Sequence, residues 1–376
     1  MTRTVLITGG AGFIGSHLAD ALLQQGHRVR VLDNLDPQVH GEHARRPEYL
    51  DAEVELIVGD VRDPDAVTKS LKGVDSVFHF AAKVGVGQSM YAVENYTDVN
   101  NRGTAVLLEA LIRNPVERLV VASSMSIYGE GCYRDANGHF ATGYERSLEQ
   151  LKNREWEVRD AAGNPLTPIP TPETKQPALA SVYALSKFDQ ERLCLMIGRA
   201  YNIPTVALRF FNVYGTRQAL SNPYTGVLAI FASRLLNDHA PLVNEDGQQR
   251  RDFVSVFDVA QACILAMEKA HEVAGQAFNV GSGRNYTVLE VGRRLAEVLG
   301  KRLEPEITGK YRVGDIRHCF ADISLARELL GYEPKVMLED SLMELAQWLE
   351  GQIALGQVHD KVQQAAAELN ARGLTV

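Results

Sequence analysis

The feature that most constrains the fold is a glycine-rich loop near the N-terminus. The apolar run 4–8 is typical of a short strand, and Gly9, Gly12 and Gly15 follow it at the spacing of a nucleotide-binding turn that opens a helix at Ser16–Gln25. At such a turn the first glycine permits a sharp bend, the second lets the backbone approach a pyrophosphate, and the third lets the helix pack on the strand. The loop therefore predicts the first strand and helix of a dinucleotide-binding sheet.

An acidic residue at the end of the second predicted strand indicates which dinucleotide binds. Arg28–Asp33 has the pattern of this strand, and Asp33 lies 18 residues after Gly15. A carboxylate there can accept hydrogen bonds from a ribose 2′-hydroxyl but would repel a 2′-phosphate. We therefore expect NAD rather than NADP as the cofactor. The nearby Arg45 and Arg46 are the counter-indication, because arginine is a good phosphate ligand.

Short apolar runs alternate with helical segments along the chain that follows. Strands are predicted at Val54–Val58, Ser76–Phe80 and Arg118–Ala122, with a helix at Val99–Ile112 between the last two. This alternation is typical of a parallel sheet covered by helices on both faces. The predicted fold class is α/β, a Rossmann-type doubly wound parallel sheet with a smaller C-terminal substrate-binding α/β lobe. Ligands are expected at the carboxyl ends of the strands.

The pattern divides the chain into three parts. Residues 1–210 are predicted to form the NAD-binding domain, and residues 211–350 mainly a substrate-binding lobe, with some segments returning to the first domain. The alternation lapses over 130–180, which is interpreted as an insertion that either caps the site or runs over the surface, with a candidate helix at 144–159. Residues 351–376 are rich in Ala, Gln and Glu and are expected to form a solvated helical tail.

Composition and cysteine spacing exclude several classes of function. With 39 basic and 47 acidic residues the net charge is −8, and the basic residues are scattered, so no nucleic-acid partner is expected. No apolar stretch reaches 18 residues, and the first residues resemble a strand rather than a signal peptide, which indicates a cytoplasmic protein without a membrane span. Neither a metal site nor a disulfide framework is expected, because the four cysteines lie far apart at Cys132, Cys194, Cys263 and Cys319.

A tyrosine and a lysine four residues apart provide a candidate proton acceptor. Tyr183 and Lys187 fall in the predicted helix Val182–Tyr201, and residues at this spacing share one face of a helix. A free tyrosine has a pKa of about 10, but a neighbouring ammonium, helped by the positive ring of an oxidised nicotinamide, lowers that pKa by favouring the phenolate. Because such pairs occur on many ordinary helices, the position of this pair within the chain decides its meaning.

The order of the motifs along the chain decides how the Tyr183–Lys187 pair is interpreted. Over roughly residues 1–350 the chain resembles the extended short-chain dehydrogenase/reductase family, in particular the NAD-dependent nucleotide-sugar epimerases and dehydratases. The one gross departure is the enlarged segment before Tyr183. The motifs that carry the resemblance are T-G-G-A-G-F-I-G at 8–15, Asp33, G-D at 59–60, H-F-A-A at 79–82, N-N-R-G-T at 100–104, S-S-M-S-I-Y-G at 123–129, Y-A-L-S-K at 183–187, R-F-F-N-V-Y-G at 209–215, R-D-F-V at 251–254, N-V-G-S-G at 279–283 and R-V-G-D-I-R at 312–317.

The resemblance implies a catalytic trio. In such enzymes a serine, here Ser124, hydrogen-bonds the sugar hydroxyl that is oxidised, and a phenolate, here Tyr183, removes its proton as hydride passes to NAD; Lys187 supports the phenolate. Ser126 is the alternative for that serine. The expected cofactor-side residues, besides Tyr183 and Lys187, are Gly9, Gly12, Phe13, Ile14, Gly15, Asp33, Asn34, Asp60, Val61, Phe80, Ala81, Ala82, Lys83, Asn100 and Ser123, with a purely structural role left open for Lys83, Asn100 and Ser123.

The resemblance also implies a substrate site for a nucleoside-diphosphate sugar, linked to dTDP or UDP. In the family, residues at the positions of Asn212, Arg251 and Arg312 contact the diphosphate or ribose, and the planar fork of arginine suits phosphate oxygens. Arg250 and Arg317 are competing candidates for these two arginines. The expected substrate-side residues are Val84, Ser124, Ser126, Asn212, Arg251 and Arg312.

The residues after Ser124 separate the reactions of the family. Dehydratases of the family carry an Asp-Glu pair there and sugar-acid decarboxylases a Glu, whereas this chain has Met125 and Ser126, neither of which is a carboxylic acid. Reversible oxidation at C4 with hydride return to the opposite face, a 4-epimerisation, is therefore the predicted reaction. A decarboxylase or dehydratase that uses another acid, and a non-catalytic NAD-binding sensor, are the alternatives.

Two further expectations concern the sugar and the assembly. The segment Ala219–Gly226, with the insertion, resembles a bacterial branch that acts on dTDP-L-rhamnose, with UDP-glucose, UDP-galactose and UDP-uronic acids as alternatives. In related enzymes two helices, here Val99–Ile112 and Val182–Tyr201, pair across a two-fold axis into a four-helix bundle, so a homodimer is expected.

Overall fold

The computed structural model describes residues 2–41, 45–142, 145–220, 222, 224, 226–312, 314–354 and 360–375. Its elements are numbered in chain order. The strands are β1 Thr4–Thr8, β2 Arg28–Asp33, β3 Glu55–Val58, β4 Ser76–His79, β5 Arg118–Ser124, β6 Cys132–Arg134, β7 Phe140–Thr142, β8 Thr167–Ile169, β9 Thr205–Phe210, β10 Asn212–Tyr214, β11 Leu242–Val243, β12 Arg250–Arg251, β13 Phe253–Ser255, β14 Ala277–Val280, β15 Tyr286–Thr287, β16 Glu306–Ile307 and β17 His318–Cys319.

The helices connect and cover these strands. They are α1 Phe13–Gln24, α2 Pro37–His40, α3 Pro64–Ser70, α4 Val86–Ser89, α5 Val93–Tyr96, α6 Gly103–Arg113, α7 Leu148–Lys152, α8 Val182–Ala200, α9 Val227–Leu236, α10 Val256–Glu268, α11 Val288–Val298, α12 Leu338–Ala354 and α13 Val362–Ala371. A 3₁₀ turn at Met125–Tyr128 and π-helical turns at Thr97–Arg102 and Ala326–Leu330 complete the helical structure. Among the described residues, no helix combines the length and apolar character needed to cross a membrane.

Seven parallel strands form the central sheet, in the order β14-β9-β5-β4-β1-β2-β3. Every residue of β1 and β5 is buried, as expected for the middle strands of a sheet covered on both faces. One apolar core includes side chains of α1 and α10, and a second core includes side chains of α3, α6 and α8. The predicted doubly wound α/β fold is confirmed. Chain order reverses between β1 and β4, where such folds bind ligands.

Two helix starts differ from the sequence-based prediction for local reasons. The first helix begins at Phe13 rather than Ser16, because the glycine turn itself caps it at Gly12. The helix expected from Val99 is preceded by a π-helical turn that begins at Thr97 and runs into α6 at Gly103. The ends of the predicted strands agree with those of the observed strands to within two residues, which is the usual uncertainty of element ends.

The second lobe is built around a third apolar core, which includes α9, α11 and α12. Short parallel pairs join β10 to β13 and β11 to β16, and β12 lies between β15 and β17. Strand β14 leaves this lobe and pairs with β9 in the central sheet. The division of the chain at residue 210 stays a prediction.

The insertion 130–180 forms a small unit of its own. Strand β6 pairs antiparallel with β7 and β8, over a small core of Tyr133, Val158 and Leu166. The candidate helix over 144–159 is reduced to the five residues of α7; residues 143 and 144 lie outside the described part of the chain. None of the described residues of 130–179 lines the large cavity described below, so this unit supports the lobe rather than capping the site.

Candidate active site

A cavity of about 1000 Å³ lies at the carboxyl ends of the central strands, beside the point where the strand order reverses. One wall comes from the loops after β1, β2, β4 and β5, and the facing wall comes from the second lobe. Its volume is at the upper end of the range for small-molecule sites. Predicted catalytic, cofactor-side and substrate-side residues therefore meet in one space.

The glycine turn builds one end of this cavity. Gly9 has a φ of +71°, and a Cβ there would lie 2.8 Å from the backbone nitrogen of Ala81. A Cβ on Gly15 would lie 2.5 Å from the Cα of Gly10, so α1 packs against the turn only because residue 15 has no side chain. At Gly12, by contrast, a Cβ would meet only a carbonyl oxygen at 3.4 Å. No side chain caps α1 at Gly12, so its first backbone N–H groups are available to an anion such as a pyrophosphate.

Asp33 is held in a fixed orientation at the end of β2. Its carboxylate accepts hydrogen bonds from the backbone nitrogens of Ala11 at 3.0 Å and Leu35 at 2.9 Å, and it lines the cavity. Burial raises the pKa of this carboxyl group. Arg46 donates instead to the carbonyl oxygens of Asp51 and Val54 and does not line the cavity. The site therefore fits a ribose with free hydroxyls better than one that carries a 2′-phosphate.

The catalytic trio stands where β5 ends and α8 begins. Ser181 caps α8 by accepting a hydrogen bond from the backbone nitrogen of Ala184 at 3.1 Å, which places Tyr183 in the first turn. Ser124 is the last residue of β5, and its Oγ accepts a hydrogen bond from Ser126 Oγ at 2.9 Å. Burial raises the pKa of Tyr183, and a hydrogen bond with Ser124 lowers it. Ser124 and Tyr183 both line the cavity, and the Ser124 hydroxyl opposes the effect of burial on the pKa of the phenol.

Lys187 lies one helical turn after Tyr183 and is almost fully buried. Its Nζ donates a hydrogen bond to Gln190 Oε1 at 2.8 Å, and burial lowers the pKa of the ammonium to about 8. The Gln190 amide is held in turn by Thr104 at 2.9 Å. The expected lowering of the Tyr183 pKa by this ammonium stays a prediction, because in the structure burial is the larger influence on the phenol.

All but one of the predicted cofactor-side residues line the cavity. The exception is Asn100, which is fully buried behind the wall. Its side chain accepts a hydrogen bond from the backbone nitrogen of Lys83 at 2.7 Å and donates one to Ser186 at 2.9 Å, so it fixes the loop after β4 to α8. Ser123 Oγ donates a hydrogen bond to Glu191 at 2.6 Å, although the residue also lines the cavity. Both residues therefore position the site.

The structure separates Arg251 and Arg312 from the competing candidates Arg250 and Arg317. Arg251 and Arg312 line the cavity, whereas Arg250 and Arg317 do not. The guanidinium of Arg317 is fully buried and pairs with carboxylates of the insertion and the second lobe; these are Glu157, Glu245 and Asp246, at 2.5 to 3.0 Å. Such an ion-paired guanidinium is structural, because any ligand would have to displace its partners.

Asn212 has unused hydrogen-bonding capacity for a ligand, as does Gln249, whose side-chain oxygen is also buried and without a partner among the described residues. The Asn212 side-chain oxygen is buried and has no hydrogen-bond partner among the described residues, although the residue lines the cavity. A buried acceptor without a donor is costly, so such an atom indicates a ligand that supplies one. Val84 also lines the cavity, as expected for the substrate side.

Among the lining residues that sequence reasoning missed, two groups lie close to each other on the substrate side. The first includes Gln218, Asn222 and Tyr224, from the segment Ala219–Gly226 and the residue before it; residues 221, 223 and 225 of that segment lie outside the described part of the chain. The second is the tail, which was expected to be solvated but contributes residues between 362 and 375 to the cavity. The apolar side chains of the tail recur at a four-residue spacing, and this was the one sequence signal of a buried helix face.

Comparison with known proteins agrees with this geometry. The family model for the NAD dependent epimerase/dehydratase family matches residues 5–148 and 160–281. The chain belongs to this family. It is accordingly an NAD-dependent enzyme. The interruption of the match, between residues 148 and 160, falls within the insertion.

Similar proteins extend the likeness over almost the whole chain. A dTDP-L-rhamnose 4-epimerase of Burkholderia thailandensis is 36% identical over 92% of this chain and 95% of its own. A crystal structure of a UDP-glucose 4-epimerase from Thermotoga maritima with UDP-glucose has a TM-score of 0.75 at 31% identity, covering 93% and 99% of the two chains. A UDP-glucose 4-epimerase from Thermus thermophilus in complex with NAD has a TM-score of 0.73 at 32% identity, with the same coverage.

Proposed function

We propose that this enzyme is a nucleotide-sugar 4-epimerase. The observation that carries the proposal is that Ser124 and Tyr183 line one cavity with the glycine turn and Asp33, beside Met125 and Ser126, which offer no acid. An elimination needs a general acid beside the reacting carbons, whereas oxidation and reduction at C4 needs only a base for the hydroxyl proton.

The carboxylates that line the cavity support this choice of reaction, because each described one already has a partner. They are Asp33, held by backbone N–H groups; Asp36, paired with Lys83; Asp60, paired with Arg62; Glu245, paired with Arg146 and Arg317; and Asp315, paired with Arg312. None of them is a free acid poised to protonate a leaving hydroxyl. A decarboxylase or dehydratase that uses another acid is therefore less well supported than a 4-epimerase.

The residues divide the work of the reaction. Ser124 hydrogen-bonds the C4 hydroxyl and aligns it with Tyr183, whose phenolate accepts the proton during oxidation and returns it during reduction. Lys187, as an ammonium held by Gln190, stabilises the phenolate. The glycine turn and Asp33 would hold NAD, which would supply the hydride acceptor and donor for C4. Epimerisation then requires the sugar to turn over while its diphosphate stays bound.

The diphosphate is assigned to Arg251 and Arg312, and a ribose or sugar hydroxyl to Asn212. Both arginines line the lobe side of the cavity, and the Asn212 oxygen is an unused acceptor that suits a hydroxyl group. For the sugar, we favour dTDP-L-rhamnose, supported by the similarity to the Burkholderia enzyme and by the segment Ala219–Gly226. UDP-glucose, UDP-galactose and UDP-uronic acids are the alternatives.

The test is turnover by the purified protein without added nicotinamide. The protein is incubated with a panel of dTDP- and UDP-sugars, and new C4 epimers are detected by NMR. A self-recycling epimerase converts at least one member of the panel under these conditions. Reversible NAD binding without conversion of any member would instead favour a sensor, and a product that has lost CO₂ or water would favour the other family reactions.

The same proposal includes a homodimer through α6 and α8. Leu185 and Met196 are 11 residues apart on α8, hence on nearly the same side of the helix, and they are 47% and 51% exposed. A second copy that packed its own α8 there would cover both side chains. Light scattering should give twice the monomer mass for the wild type, and a double Leu185→Glu, Met196→Glu variant should be monomeric. A monomeric wild type at micromolar concentration would contradict the assembly.

A further inference from the structure

The C-terminal segment 360–375 forms part of the cavity wall, although nothing in the catalytic trio requires it. Helix α13 lies along the open side of the cavity, and Val362, Ala365 and Leu369 face it. Ala365 and Leu369 are buried, at 7% and 6% exposure. An isolated ten-residue helix is marginal in water, so its stability must come from these contacts.

Specific polar contacts hold α13 in place. Glu368 Oε2 accepts hydrogen bonds from the hydroxyl groups of Tyr91 at 3.0 Å and Tyr224 at 3.1 Å, and these two hydroxyls are 2.7 Å apart. The guanidinium of Arg372 lies 4.3 Å from the centre of the Tyr91 ring, a cation–π contact. The contacts tie the helix to residues of the cavity wall rather than leaving it in solvent.

Both ends of the segment are also attached to the second lobe. At its start, Asp360 pairs with Arg234 at 3.1 Å and with His239 at 2.8 Å. At its end, Thr375 forms an antiparallel bridge with Arg312, the arginine assigned to the diphosphate. The tail is therefore fastened on both sides of the substrate region.

The contacts also locate the tail relative to the reacting carbon. Leu369 lies against α4, since a Cβ on Gly87 would be 3.4 Å from its Cδ1. At the other end of α4, Ser89 Oγ accepts a hydrogen bond from the backbone nitrogen of Tyr183 at 3.0 Å. One short helix therefore separates Leu369 from the catalytic tyrosine. A Cβ on Gly87 would also be 3.7 Å from the Cδ of Arg312, so Leu369 lies between the diphosphate arginine and the end of α4 that contacts Tyr183.

We propose that segment 360–375 is a specificity element, whose Leu369 face selects sugars without a charged substituent. The inference rests on the proposed 4-epimerase function and adds the substrate class to it. Six residues of α13 line the cavity, and all but the last of them are apolar; they are Val362, Ala365, Ala366, Ala367, Leu369 and Asn370. An apolar wall accommodates a methyl or hydroxymethyl group but leaves a carboxylate desolvated and unpaired.

The test compares kcat/KM for an uncharged nucleotide sugar and for its uronic acid counterpart. Leu369→Lys should shift the ratio toward the uronic acid by at least about tenfold, because it places a cation on the wall. The matched control is Gln364→Lys, which adds the same charge to an exposed position of α13 that does not line the cavity. That control should leave the ratio unchanged.

A second variant decides the matter if Leu369→Lys fails to fold. Leu369→Ala should raise KM for the uncharged sugar about tenfold with little change in kcat, and Leu369→Met should restore KM. An unchanged ratio in a folded Leu369→Lys, or an unchanged KM in Leu369→Ala, would overturn the role of the tail. If those variants still epimerise a sugar at C4, the proposed 4-epimerase function holds even though the role of the tail is refuted. A wild type that epimerises no sugar would refute the 4-epimerase function itself.

Discussion

Tyr183→Phe should remove most of the turnover while leaving the fold and NAD binding intact. The change deletes one hydroxyl group and keeps the ring, which packs edge-on against Tyr96 at a centroid distance of 6.5 Å. Ser124 retains its hydrogen bond with Ser126 at 2.9 Å, so no polar group is left unpaired. The cost to the free energy of unfolding should therefore stay within about 1 kcal/mol, the net value of one hydrogen bond.

The cost to catalysis should be much larger. General-base catalysis contributes at least about a hundredfold, so kcat should fall by that factor, which corresponds to about 2.7 kcal/mol in the activation barrier. NMR of initial epimerisation rates measures kcat, and calorimetric titration with NAD measures binding. Tyr201→Phe is the matched control, since Tyr201 is an exposed residue at the other end of α8. A Tyr183→Phe enzyme with more than about a tenth of wild-type turnover would refute the assignment of the base.

Three further substitutions test other parts of the site. The buried Lys187 ammonium has a pKa of about 8, against 10.5 when exposed, so its charge destabilises the fold fully below pH 8, and this cost disappears as pH rises toward 10.5. At pH 7 the Lys187→Met variant should therefore be more stable than the wild type by about 2 kcal/mol, a value that allows for the lost hydrogen bond to Gln190, and this difference should vanish by pH 10.5. The variant should also need a higher pH for activity. No narrowing of the stability gap with pH would contradict the burial of this charge. Asp33→Asn should narrow the preference for NAD over NADP by at least about tenfold in calorimetric titrations, because it removes the carboxylate that repels a 2′-phosphate; an unchanged preference would show that other groups set it. Arg317→Met should lower the unfolding free energy by about 3 kcal/mol, because the buried Glu245 would keep only Arg146 as an ion-pair partner and the partly exposed Glu157 and Asp246 would lose the guanidinium. Arg312→Ala should mainly raise the substrate KM; a raised KM in Arg317→Met and a destabilised Arg312→Ala would contradict these roles.

The parts of the site that the sequence predicted are those encoded by short-range patterns. The glycine loop carries its own structural requirements, since a side chain at Gly9 or Gly15 would collide with the backbone of the turn or of the neighbouring loop. The alternation of apolar runs and helical segments was enough to predict the parallel sheet, and the sheet in turn fixes which loops face the ligand. Tyr183 and Lys187 share a turn, so their proximity also follows from spacing alone.

The parts that were missed depend on contacts between distant segments. Asn100 was expected to be either a cofactor-side or a structural residue, and only the hydrogen bonds of its side-chain amide with Lys83 and Ser186, which hold it behind the wall, favour the structural role. Arg317 could not be separated from Arg312 by sequence, because its carboxylate partners come from residues far away in the chain. The tail was interpreted as solvated because its composition is polar, and only the folded chain brings Leu369 to the cavity.

The most direct test of the central claim is the fate of hydrogen at C4. A substrate of the enzyme, deuterated at C4, is incubated in ordinary water, and the epimer is analysed by NMR and mass spectrometry. If Ser124 and Tyr183 act on a carbinol whose hydrogen is removed and returned within the closed site, deuterium should remain at C4 with no hydrogen from solvent. Loss of deuterium from C4 to solvent, or its transfer to C6, would contradict the account.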